Sequence, residues 1–81
     1  KKLSKYMFYN CSSLTQIKIP DSICRLEDHV FSGCYSLLKI KFPISVQYIG
    51  EFAFENCISL SSISMNPYCI QIKPNSFTAN Q

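Results

Sequence analysis

One spacing constrains this chain more than any other property. Phe8, Phe31, Phe54 and Phe77 recur every 23 residues, with nothing inserted or deleted between them. The same register holds Cys11, Cys34 and Cys57, then Leu14, Leu37 and Leu60, then Ile17, Ile40 and Ile63. Ile19, Phe42 and Met65 continue it, as do Ile23, Val46 and Cys69, the series Leu3, Leu26, Ile49 and Ile72, and the series Met7, Val30, Ala53 and Ser76. A fixed period of this size marks stacked structural units that bury their apolar faces against one another. Residues 8–30 and 31–53 share Phe, Cys, Ser, Leu, Ile, Lys, Pro and Ser at matching places, the first pair being Phe8 and Phe31 and the last Ser22 and Ser45. Residues 54–76 depart more, replacing a single Pro turn with Asn66-Pro67 and adding Lys73-Pro74. The units are therefore 8–30, 31–53 and 54–76, with a partial repeat at 1–7 and a partial or degenerate cap at 77–81, where Asn80 stands in the next Cys position. Residues 1–81 read as one domain of about three and a half coils, and as an excerpt of a longer array.

The pattern inside a unit predicts its shape. Leu14 to Ile19 ends in apolar and polar residues that alternate, as in a short strand with one buried face. Pro20 and Pro43 stop two such strands, because proline has no N–H to continue a ladder. Ile23, Leu26 and Val30-Phe31, three to five residues apart, suit a loose helical or 3₁₀ return. One strand and one return in so short a unit favour a wound coil with parallel strands roughly 4.8 Å apart over hairpins. The expectation is an α/β repeat solenoid with short parallel strands and short irregular or 3₁₀ return segments. Its open apolar ends predict neighbouring repeats or chains there.

Composition excludes several classes. With 47% apolar and 16% charged residues the chain is too hydrophobic for a disordered tail. No apolar run reaches the roughly 18 residues of a transmembrane helix. A net charge of +3, with Arg25 the sole arginine and no aromatics interleaved on the strands, argues against nucleic acid. Cys11, Cys34 and Cys57 would stack in parallel, so their Cβ atoms would stay near the coil spacing and not close to the roughly 3.8 Å of a disulfide. They read as buried free thiols. A straight ladder does not converge tetrahedrally on zinc, so neither a metal nor another cofactor is expected. Cys69 reads as core, and Cys24, in register with Gln47 and Ile70, as a surface thiol.

No catalytic constellation emerges, and the chain is not expected to be an enzyme. His29 follows Glu27 and Asp28, but its register partners are Phe52 and Asn75, which suits a variable outer-surface position with no nucleophile held beside it. Ser12-Ser13 and Ser61-Ser62 have no dedicated base, and Gly33 and Gly50 make no phosphate loop. Ser22 and Ser45 read as hydroxyls that satisfy backbone groups where the chain leaves the strand. Phe8, Phe31, Phe54 and Phe77, with the Cys and Leu ladders, are assigned a structural role. The candidate partner surface is the outward side of the strands, the concave sheet: Gln16, Lys18, Lys39, Lys41, Ser62 and Ser64, together with the outward Thr15, Leu38 and Ser61. Its charges are all lysines, whereas Asp21, Glu27, Asp28, Glu51 and Glu55 fall in turns and returns. Such a strip suits an acidic protein surface or a glycoprotein, or simply keeps the sheet soluble. Tyr9, Tyr35 and Tyr48 lie outside the core registers, as interface anchors or covers for the stack ends. Asn10-Cys11-Ser12 fits the glycosylation sequon.

The string L-x-x-I-x-I-P-x-S-I-x-x-L-x-x-x-V-F-x-x-C from Leu14 to Cys34 resembles the 23-residue leucine-rich repeat of the bacterial surface antigen, or BspA-like, type. Pro20, Ser22, Phe31 and Cys34 occupy the family's places, and Pro43, Ser45, Phe54 and Cys57 repeat them. In the last unit Asn66, Tyr68 and Ser76 replace the usual Pro, Ser and Ala. The resemblance implies a curved solenoid from a family of cell-surface or secreted proteins of bacteria and protists that bind host or partner proteins through non-catalytic repeats. The function it implies is a protein-interaction module for surface adhesion or ligand recognition. The alternative is a structural scaffold repeat within a larger assembly.

Overall fold

The 23-residue period becomes a stack of coils in a computed structural model that describes residues 1–64 and 71–77. Met65 to Ile70, including Cys69 and the Asn66-Pro67 turn, and Asn80 lie outside the described residues. The strands are β1 (Lys2–Leu3), β2 (Gln16–Lys18), β3 (Arg25–Leu26), β4 (Lys39–Lys41), β5 (Tyr48–Ile49), β6 (Ser62–Ser64) and β7 (Gln71–Ile72). They form two parallel sheets, β2-β4-β6 and β1-β3-β5-β7. Every pairing joins residues one period apart, such as Ile17 with Ile40 and Leu26 with Ile49.

The sheet β2-β4-β6 is the one the alternating pattern predicts. The second ladder is an addition, since the sequence leads us to expect one strand per unit. Its inward residues Leu3, Leu26 and Ile49 are buried, and the coil below holds each two-residue strand in register. No helix occurs among the described residues, and the hydrogen bonding of the returns explains why. From His29 to Cys34, alternate N–H groups bond to the next coil and to the local turn: His29 to Glu51 O, Val30 to Glu27 O, Phe31 to Ala53 O, Ser32 to His29 O, Gly33 to Glu55 O and Cys34 to Phe31 O. Half the donors that a helix would use along its own axis are spent between coils. The repeated return to residue i−3 keeps a 3₁₀-like turn without a continuous 3₁₀ run.

Left-handed residues four apart make this alternation possible. They are Tyr6 and Asn10, His29 and Gly33, and Phe52 and Asn56 in successive coils, with φ between 57° and 81°. The second position suits Asn and Gly, which visit this region at low cost. Gly33 has a further reason to lack a side chain, because a Cβ there would overlap the Asn10 side chain. The first position carries aromatic rings in a conformation that costs on the order of 1 kcal/mol or more.

The core runs along the stack. Phe8, Phe31, Phe54 and Phe77 stack with nearly parallel rings in a column, their centroids 5.2, 5.2 and 5.0 Å apart. Phe42 meets Phe54 edge-on at 5.7 Å. Leu26, Leu37, Val30, Val46 and Ile49 fill the space around them and are fully buried. Ser45 Oγ donates to Ile23 O at 2.6 Å, the role expected of it, whereas Ser22 is exposed. Ser76 Oγ, buried, donates to Gly50 O at 2.7 Å.

Candidate functional site

Strand alternation sorts the residues of the first sheet. Ile40 turns inward and is buried, while Gln16, Lys18, Lys39, Lys41, Ser62 and Ser64 are exposed. Parallel pairing then aligns them in two rows, Gln16–Lys39–Ser62 and Lys18–Lys41–Ser64. All six, with Ile17 and Ile40, line one open hollow of about 530 Å³. A second hollow of about 220 Å³ continues beyond the strand ends, lined by Ile17, Lys18, Ile19, Asp21, Lys41 and Pro43. The structure therefore brings the candidate residues together on one surface.

Its charge is not neutralised from within. Lys18 and Lys41 are direct cross-strand neighbours, and at about 5 Å in water they repel by on the order of 0.8 kcal/mol. Among the described residues Arg25 Nε forms an ion pair with Glu27 Oε2 at 2.9 Å, and His29 Nδ1 approaches Glu55 Oε1 at 3.8 Å. Lys18, Lys39 and Lys41 take part in neither contact. Of the acidic side chains, Asp21 lines the second hollow with Lys18 and Lys41, whereas Asp28 Oδ1 accepts from the Glu51 N–H at 2.9 Å and Glu55 Oε1 accepts from Ser32 Oγ at 3.1 Å, away from the strand face.

The ladder residues occupy the interior. Cys34 and Cys57 are buried free thiols whose Sγ atoms donate to Phe8 O at 3.3 Å and Phe31 O at 3.2 Å in the preceding coil. A small apolar side chain with one weak donor fits this place, which accounts for Cys in this register. Burial pushes the Cys34 thiol up to about 11 and the Cys57 thiol up to about 12. Neither has the character of a nucleophile. Cys11 is half-buried, and Cys24, also half-buried, donates its thiol to Lys1 O at 3.1 Å. Among the described residues no group of three His, Cys, Asp or Glu side chains could hold a metal ion.

His29, read from the sequence as a variable outer-surface position, has ring neighbours there. It is half-buried, its ring stacked on Tyr6 at 4.8 Å and on Phe52 at 5.1 Å. Its Nδ1 is buried without a hydrogen bond. The signal was in the sequence, since positions 6, 29 and 52 are all aromatic rings one period apart. Tyr9 and Tyr35 are exposed, and Tyr48 is half-buried beneath the Arg25 guanidinium, 4.0 Å from its ring centre.

Residues 1–81 match the family described as BspA type leucine rich repeat region (6 copies). The chain belongs to the BspA-type leucine-rich repeat family. No curated protein and no solved structure matches it. BspA-type repeats are typical of surface or secreted proteins, and leucine-rich repeats generally mediate protein interactions. Their parallel short strands and stacked coils are those seen here in β2-β4-β6 and β1-β3-β5-β7. Among the described residues no helix is long and apolar enough to cross a membrane.

Proposed function

We propose that this chain is a non-catalytic recognition segment of a cell-surface or secreted protein, used for adhesion or ligand binding, with the outer face of β2-β4-β6 as its docking surface. The observation that carries this reading is the juxtaposition of Lys18, Lys39 and Lys41, in no ion pair among the described residues, around one open hollow on the sheet. An acidic protein surface or glycoprotein complements it. The absence of catalysis is part of the proposal: His29, the one histidine, is engaged in a ring stack, and the two buried thiols are held protonated. A pull-down comparing the native chain with a Lys18→Glu, Lys39→Glu, Lys41→Glu variant tests it. Loss of the captured proteins is expected, and unchanged capture refutes the docking surface.

A second reading, a scaffold repeat in a larger assembly, draws on a different observation. Ile63 and Ile72 are exposed, whereas their equivalents Ile40 and Ile49 in the preceding coil are buried. Neighbouring repeats or chains would cover that end. A native complex in which the strand face is bare and the coil ends are packed would favour this role.

A further inference from the structure

Resting on the reading of the strand face as a docking surface, we propose that its ligand is an extended polypeptide segment lying along the strand direction, with two carboxylates at alternate positions and an apolar residue two positions before the first. The argument begins with spacing. Lys39 and Lys41 stand two residues apart on one side of β4, so their stems are rooted about 6.6 Å apart. An extended chain repeats its own side chains on one face at the same interval. Carboxylates at alternate positions of such a chain meet both ammonium groups in register, while adjacent carboxylates point to opposite faces. Lys18 pairs with Lys41 across the sheet, so the second carboxylate faces two cations. Gln16, Ser62 and Ser64 flank the lysines with neutral donors and acceptors.

The length and ends of the groove select further. The two hollows share Ile17, Lys18 and Lys41, so the depression continues from Gln16 and Lys39 to Asp21 and Pro43. Leu38, which directly precedes Lys39 and the strand β4, is 52% exposed. Tyr35, on the preceding turn, and its register partner Ile58 are exposed as well. Exposed apolar side chains in the segment that leads into a cationic strand fit a polypeptide that carries both kinds of side chain. A sulfated polysaccharide brings charge without a large apolar group. At the exit Asp21 places a carboxylate, which disfavours a third acidic residue and so selects an acidic pair over a long polyanion.

Fluorescence anisotropy on the full chain tests this with two labelled peptides of identical composition. One has a Leu and two Glu at successive alternate positions, so that all three share one face, the other the same residues with the two Glu adjacent. The alternating peptide is expected to bind about fivefold more tightly, the equivalent of one exposed charge pair. Its binding should weaken as salt rises from roughly 50 to 200 mM. Lys41→Gln should remove most of the preference, and Leu38→Ser should lower affinity for the alternating peptide without changing its salt dependence. Both substitutions are at exposed positions, and a circular-dichroism spectrum unchanged from the native chain verifies the fold. Equal binding of the two peptides that is lost in Lys41→Gln, or displacement of both by heparin at lower concentration than by unlabelled peptide, overturns the extended acidic segment but leaves the lysine face as a docking surface. Binding that Lys18→Gln and Lys41→Gln leave untouched overturns both, as does failure of the peptides and heparin to bind.

Discussion

Two columns of rings run along the stack, an inner one of four rings and an outer one of three. Inside, Phe8, Phe31, Phe54 and Phe77 stack at 5.0 to 5.2 Å; two residues earlier in each coil, Tyr6, His29 and Phe52 stack at 4.8 and 5.1 Å. The spacing is the same because coil separation sets it in both places. The chemistry differs because the surroundings do. Phe31 and Phe54 are fully buried, and no polar atom could sit there unpaired without a desolvation cost. The outer column is half exposed, so a phenol, an imidazole and a phenyl ring all serve, each in a left-handed backbone conformation. Stacking geometry is thus a property of the period, and residue identity a property of burial.

The comparison breaks most readily at Phe31. Phe31→Ala should cost about 3–5 kcal/mol through lost burial and a cavity between two rings. Phe52→Ala should cost only about 0.5–1.5 kcal/mol, the worth of a ring pair at a site open to water. Urea midpoints of the two variants measure the difference, and equal losses would mean that the outer column is as structural as the inner.

The interior column is also sharpened by pH. Cys34 and Cys57, bonded to the carbonyls of Phe8 and Phe31, are raised from 9.0 to about 11 and about 12. An unfolded chain ionises these thiols first, so above pH 9 the unfolded state binds fewer protons and stability falls as pH rises toward 12. The loss is on the order of 1 kcal/mol per thiol per pH unit. Below pH 9 these thiols add no pH dependence. A Cys34→Ala, Cys57→Ala variant, less stable overall, should show a flatter decline between pH 9 and 11 in denaturant titrations. An unchanged slope would show that the thiols ionise in the folded state.

The smallest effect belongs to His29→Phe. It keeps the outer stack, removes the buried Nδ1 that has no hydrogen bond and gives up a 3.8 Å approach to Glu55. The net change should stay within about 0.5 kcal/mol. A thermal melt that moved as far as that of Phe31→Ala would contradict the division between the columns.

Much of the site was legible in advance because it depends on alternation and period alone. Once Ile40 must face inward, Lys39 and Lys41 must face out, and once the coils are in register Lys18 must lie against Lys41. Leu3, Leu26, Ile49 and Ile72 announced an apolar register but not the second ladder. A two-residue strand has no pattern of its own and exists only when a neighbouring coil offers its backbone. His29 escaped for a related reason: reading it as surface ignored that its neighbours in space, Tyr6 and Phe52, lie a full period away.

The amino-acid order alone therefore determined the length of each coil, the inward and outward residues of the main strands, and the column of phenylalanines, because these follow from repetition and from the partition of apolar side chains out of water. Tertiary stacking decided where the backbone donors go. With every second N–H of the return satisfied by the next coil, a helix gave way to turns and a second sheet, and two rows of side chains became the walls of one groove.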